Sequence, residues 1–179
     1  MATGEVGVES RPGRSGPLVR RLRHDAPFFA LAALVFILDF VTKSFVRSNL
    51  AVGESWPHSS WLVKITHVTN SGAAFGILQG QGVFLTITAV IAIGAIAFYY
   101  ASPPMEHGLL RLALALELGG AAGNLLDRVR FGRVTDFIDF PHYPEFNVAD
   151  SSIVIGLIVI AAFYVLSEHL ASDGSPDDG

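Results

Sequence analysis

Two aspartates, Asp136 and Asp150, stand fourteen residues apart in a chain dominated by apolar runs, the second at the lip of the run 151–167. An acid at the edge of a bilayer-length stretch is costly unless it has a partner or a task. Two carboxyls that one loop can bring together are equipment for activating water by general acid and base. Asp150, followed by two serines, could also be no more than a helix cap.

Other polar residues gather in short clusters: Asp39-Phe-Val-Thr42-Lys43; Asn70-Ser-Gly72-Ala-Ala-Phe75-Gly76; Gly119-Gly120-Ala-Ala-Gly123-Asn124-Leu-Leu-Asp127-Arg128; Val134-Thr-Asp136-Phe; and Phe146-Asn147-Val-Ala-Asp150-Ser. Each has a plain structural explanation beside a functional one. Asp39 and Lys43 are four apart and would face each other on a helix as a neutralising pair. The glycines 119, 120 and 123 suit close helix packing. Asp127 and Arg128 could form an ion pair at a membrane interface, and Asp139 reads as a loop acid. Glu117 falls in mid-span, where an ion is expensive, so it is expected to be protonated or paired.

Several chemistries lack their residues. No His-Glu-x-x-His spacing exists among the six histidines, and no Gly-x-Ser-x-Gly elbow occurs. Ser71 has no histidine placed on a facing span. The chain has no cysteine, which removes disulfides, thiolate catalysis and zinc–thiolate sites. A carboxylate pair remains, with no metal or other cofactor expected.

The elements that must position these residues follow from hydropathy. Of 179 residues, 51% are hydrophobic and 16% charged, with a mean hydropathy of +0.48; a soluble domain of this length needs more charge on its surface. The apolar residues are bunched. Residues 27–46 carry only Asp39 and Lys43, 83–100 no charge, 108–126 only Arg111 and Glu117, and 151–167 none. A helix needs about 20 residues to cross the hydrocarbon layer. The pattern therefore predicts an all-α membrane protein with spans near 27–46, 82–101, 107–126 and 151–169, in a domain covering 26–170. Segments 47–81 and 127–150 lie outside the bilayer. Residues 1–25 read as a disordered basic tail and 171–179 as a disordered acidic one. In the first outer segment, Leu62, Val63, Lys64, Ile65 and Thr66 alternate as a short strand does, and Trp56 and Trp61 suit the headgroup zone.

Five of the twelve basic residues (Arg11, Arg14, Arg20, Arg21 and Arg23) precede the first span. Positive charge there holds that side in the cytoplasm, and with four spans both termini are cytoplasmic. All the polar clusters then meet at the extracytoplasmic face. The basic residues are not interleaved with aromatics on a soluble domain, so no nucleic-acid partner is expected.

Together these clusters resemble the bacterial lipoprotein signal peptidases, or signal peptidase II, over residues 27–170 and in the family's order. The resemblance implies a four-helix aspartic endopeptidase of the bacterial inner membrane, with a small extracytoplasmic β-sheet between spans one and two. It would cleave prolipoproteins just before a diacylglyceryl-modified cysteine, acting as a monomer in contact with membrane lipid. It also implies Asp136 and Asp150 as the catalytic dyad. Asn70, Asn124, Arg128 and Asn147 would line the substrate channel, and Asp39, Lys43 and Asp127 would be supporting polar residues. Within such a dyad only one carboxyl ionises cheaply; a helix N-terminus favours the anion, which assigns the charge to Asp150 and the proton to Asp136. Two other readings stay open: a small transporter or channel component, which would need polar residues through the full membrane depth, and a metal-dependent lipid-headgroup transferase, which a chelator would inactivate.

Overall fold

The computed structural model describes residues 17–58, 62–72, 80–101 and 107–173, and for 17–24, 101 and 169–173 the backbone path alone. The expected tails at 1–16 and 174–179, Trp61, the 73–76 end of the second cluster and the turn at 102–106 lie outside the described residues. Four long helices are present: α1 (Pro17–Asn49), α2 (Gly82–Ala101), α3 (Gly108–Phe131) and α4 (Val148–Asp173). Each contains a stretch long and apolar enough to cross a bilayer. Their outward faces carry large apolar side chains, such as Val83 and Phe98 on α2 at 76% and 77% exposure. Such surface is stable only against lipid, and the chain is a multi-pass membrane protein.

The helix boundaries depart from expectation in instructive ways. Residues 17–25, expected to be disordered, continue α1 before its apolar stretch, and residues 171–173 of the expected acidic tail continue α4. Leu18, Arg20, Arg21, Leu22 and Arg23 are all good helix formers, and Pro17 takes the first helical position, where its missing N–H costs nothing. Hydropathy sees only the part of a helix that meets lipid. At the other end of the bundle, α3 runs beyond residue 126 to Phe131 and stops at Gly132, whose φ of 69° closes the last turn through its N–H to the Arg128 carbonyl. Asn124, Asp127 and Arg128 are thus helical residues. α4 begins at Val148, which puts Asp150 inside the first turn.

Between the helices lie three short strands, β1 (Ser55–Trp56), β2 (Lys64–Asn70) and β3 (Val134–Asp139), forming one antiparallel sheet in that order. β3 corrects two expectations. The sheet is not confined to the segment between the first two spans, and Asp136 and Asp139 sit in a strand. Val134-Thr-Asp-Phe-Ile-Asp alternates only weakly, and its strand character is completed by pairing with β2. The register sets Val68 opposite Asp136 and Asn70 opposite Val134, so Asn70 and Asp136 are diagonal neighbours on one face.

α3 is the central helix, packed on α1, α2 and α4. Its glycines allow the approach. A Cβ on Gly119 would strike Val35 and the Ala32 carbonyl of α1, one on Gly123 would strike the Asp39 carboxylate of α1, and one on Gly120 would strike Ser152 of α4. Ser152 Oγ donates to the Ala149 carbonyl of its own turn at 2.8 Å and lies 3.2 Å from the Leu116 carbonyl across the same contact.

Candidate active site

The sheet and the N-terminus of α4 bring Asp136 and Asp150 to one cavity of about 540 Å³. Its polar lining includes Asn70, Arg128, Asp136, Asp150 and Ser151, and its apolar wall includes Phe140, Tyr143, Phe146, Val154 and Ile155. Asp136 is 2% exposed. Its two oxygens accept from amide side chains, Oδ2 from Asn70 Nδ2 at 2.9 Å and Oδ1 from Asn147 Nδ2 at 2.6 Å. Burial raises this carboxyl, and the negative charge of Asp150 raises it further; the Asn70 and Asn147 bonds and the charge of Lys43 oppose the rise, leaving it pushed up to about 7.

Asp150 is fixed by its neighbours. Asn147 is the N-cap of α4: its Oδ1 accepts the Asp150 backbone N–H at 2.8 Å, so the cap is Asn147 and not Asp150. Asp39 of α1 satisfies a second free N–H of the same turn, from Ala149 at 2.9 Å. Asn124 of α3 donates to Asp150 Oδ1 at 2.7 Å. Asn124 Oδ1 in turn accepts from Lys43 Nζ at 2.8 Å and from Asn147 Nδ2 at 3.3 Å. Asn124 and Asn147, expected to line the channel, are buried behind the two carboxyls and reach the cavity only through them.

The Asp39–Lys43 pair is formed, at 2.7 Å and with both side chains 1% exposed. The Asp127–Arg128 alternative is not. Asp127 pairs with Arg47 at 3.1 Å and approaches Lys43 at 3.8 Å, while Arg128 turns to the cavity. Consecutive helical residues point about 100° apart, so they do not face each other. Asp127 Oδ2 also accepts the Thr135 backbone N–H at 3.0 Å, which ties β3 to the end of α3 one residue before Asp136. Asp139 ends β3 and accepts from Thr66 Oγ1 at 2.6 Å; it is a strand residue with a partner and not a loop acid. Glu117 lies half-buried beside Gly156 of α4, away from this cavity.

The sequence model of the family described as Signal peptidase (SPase) II matches residues 31–166, which includes every residue of this site. The chain belongs to the signal peptidase II family. It is 47% identical over 135 residues to the lipoprotein signal peptidase of Moorella thermoacetica, covering 75% of this chain and 89% of that protein. It is 42% identical over 142 residues to that of Syntrophus aciditrophicus, covering 74% and 88%. Its fold matches a bacterial membrane enzyme structure solved by the in meso method at 2.3 Å, with a TM-score of 0.76, 32% identity, and coverage of 86% of this chain and 94% of that one. The protein is therefore a membrane-embedded signal peptidase, and membership in a peptidase family removes the transporter and transferase readings.

Two parts of this signal peptidase's site escaped the sequence reading. Arg47 donates to both Asp127 oxygens and to Thr135 Oγ1 at 2.9 Å. Its signal was present, since 39, 43 and 47 repeat at four-residue spacing along one face of α1. The aromatic wall is the other. Phe140 and Phe146 stack at 6.0 Å with Tyr143 edge-on to Phe146 at 5.8 Å, held by Phe146 pairing back onto Ile138. Nothing in the local sequence shows that these three rings face the aspartates.

Proposed function

We propose that this chain is an aspartic endopeptidase that releases signal peptides from prolipoproteins, cleaving just before the diacylglyceryl-modified cysteine, with Asp136 and Asp150 as its dyad. The observation that carries the reading is the meeting of these two carboxyls in one cavity that also has an apolar wall. Asp150 Oδ2 has no hydrogen-bond partner among the described residues, whereas both oxygens of Asp136 are engaged. The open oxygen supports Asp150 as the base that takes a water's proton, and the rise caused by burial and the neighbouring charge, larger than the opposing effect of the two amide bonds, supports Asp136 as the acid.

In this mechanism a water between the carboxyls gives a proton to Asp150 while its oxygen attacks the scissile carbonyl carbon. Asp136 passes its proton to the carbonyl oxygen, and a tetrahedral diol results. Asp150 then protonates the leaving amine nitrogen as the C–N bond breaks, and Asp136 recovers a proton from one hydroxyl. The products are a carboxyl-ended signal peptide and a free amino group on the lipid-bearing cysteine. Arg128 and Asn70 line the cavity and in this mechanism bind the peptide's carbonyl groups. Asn124 and Asn147 aim the two aspartates, and Asp39, Lys43 and Asp127 hold the frame around them.

The setting is the bacterial inner membrane, with both termini cytoplasmic and the site at the extracytoplasmic face. The basic residues ahead of α1 support that orientation. The proposed working unit is a monomer. The test is release of signal peptide from a diacylglyceryl precursor by the purified enzyme. Asp136→Asn and Asp150→Asn should each lower kcat by at least about 10²–10⁴-fold, the usual span of general acid–base catalysis. Wild-type turnover in either variant would overturn the dyad.

A further inference from the structure

The buried network behind Asp150 has a feature that the dyad chemistry does not require. Lys43 is 1% exposed, and its ammonium has three neighbours: Asp39 Oδ2 at 2.7 Å, Asn124 Oδ1 at 2.8 Å and, more distantly, Asp127 Oδ2 at 3.8 Å. An ammonium can only donate. The Asn124 atom facing it must be the oxygen, and the NH₂ group is thereby turned to Asp150 Oδ1 at 2.7 Å. The second amide is fixed in the same manner. Asn147 Oδ1 is held by the Asp150 backbone N–H, so its NH₂ faces Asp136 and Asn124. A flipped Asn124 would set its oxygen against Asp150, two acceptors at hydrogen-bond distance with no proton between them.

We propose that Lys43 is a positioning residue of the reaction, which keeps Asp150 as the anion of the dyad by locking the Asn124 amide with its donor toward that carboxylate. The inference rests on the dyad reading and adds to it the device that separates the roles of two chemically identical side chains. A charge-assisted hydrogen bond to a buried group is about twice as strong as a neutral one. Asn147 Nδ2 also donates to the same Asn124 oxygen, but at 3.3 Å and without charge, so Lys43 at 2.8 Å is the stronger of the two holds on the amide in the low-dielectric interior. The other charged groups around the network are Arg128 of α3, Asp136 of β3 and Glu145 ahead of α4, which share the cavity with Asp150, and Arg47 of α1, which is committed to Asp127. None of these touches Asn124 Oδ1.

Removing Lys43 alone would leave Asp39 buried without its counter-charge, so the test replaces the pair. Asp39→Asn/Lys43→Met is net neutral relative to wild type, and the new amide oxygen can still accept from Ala149. The purified, folded variant, its thermal midpoint recorded, should keep KM within about twofold. It should lose about tenfold in kcat at low pH, with the acid side of its profile moved up by about one pH unit, the tenfold equivalent. Asp39→Asn/Lys43→Gln restores an uncharged donor to Asn124 and should recover most of that loss. Asn124→Leu should lower kcat by itself, and adding Asp39→Asn/Lys43→Met to it should cost nothing more, because both changes cut one path. A wild-type profile in the Met variant, equal losses in the Met and Gln variants, or additive losses with Asn124→Leu would each overturn the proposal. Full activity in Asp150→Asn would instead remove the dyad itself, a separable failure.

Discussion

At the scale of single residues, the site is made of carboxylates whose environments differ. Asp136 is enclosed and shares its cavity with another acid, so its proton is held to about pH 7, far above the ordinary value of 3.8. Two pH dependences follow. In its proposed role of general acid Asp136 must carry its proton, so kcat/KM for a diacylglyceryl precursor should fall as pH rises through about 7. A profile flat from pH 5 to 9 would contradict this. Stability moves in the same direction. Below pH 3.8 the folded and unfolded chains both hold the proton; above it the unfolded chain releases it while the folded chain keeps it. Stability contributed by this group is thus lost progressively as pH rises through about 7. The two asparagines that bond Asp136 limit the rise without abolishing it, since neither is charged.

At the scale of elements, the proposed dyad depends on three helices and a strand meeting within one side chain's reach. α3 comes close enough to α1 and α4 only because its facing positions have no Cβ. Gly123→Val should force Asp39 off the Ala149 N–H, unseat the first turn of α4 and displace Asp150. Overpacking of this kind costs about 1–3 kcal/mol. The measurable result is a lower thermal midpoint in detergent together with loss of peptide release. Gly94 of α2, where an added Cβ meets nothing within 4 Å, serves as the control, and Gly94→Ala should leave both properties unchanged. Equal effects at the two positions would show that the Gly123 contact has no special part. The strand level was the least legible in the sequence. Asp136 read as part of a polar loop, because six residues of weak alternation carry little signal until β2 supplies their partner.

At the scale of the whole molecule, bilayer and cavity act together. The apolar wall of Phe140, Tyr143, Phe146, Val154 and Ile155 continues from the aspartates along the start of α4 toward the lipid. A cysteine carrying acyl chains stays with the membrane, each buried methylene contributing roughly 0.8 kcal/mol, and under the proposed function this would hold its adjacent peptide bond near the depth of the two aspartates. An unlipidated precursor lacks that restriction. It should be cleaved at least about a hundredfold more slowly at equal concentration in the same bicelles, which amounts to only about 2.7 kcal/mol, the partitioning of roughly three to four methylenes. Comparable rates for the two forms would mean that the peptide alone is recognised.

The sequence by itself determined the four spans, because the cost of charge in hydrocarbon leaves a pattern that any membrane helix must obey. It also determined the residue types of the site, because an acid, an amide or a lysine beside a bilayer is retained only with a partner or a task. Tertiary structure alone decided which partner each one has. Asp127 took Arg47 over its neighbour Arg128, Asn147 took the cap position from Asp150, and a strand carried Asp136 beneath Asn70. These choices join residues as far as 110 positions apart, as between Asp39 and Ala149. They turn on tenths of an ångström of helix approach and on which face of a helix or strand a side chain leaves. No local pattern encodes that information; it exists only once the elements have packed.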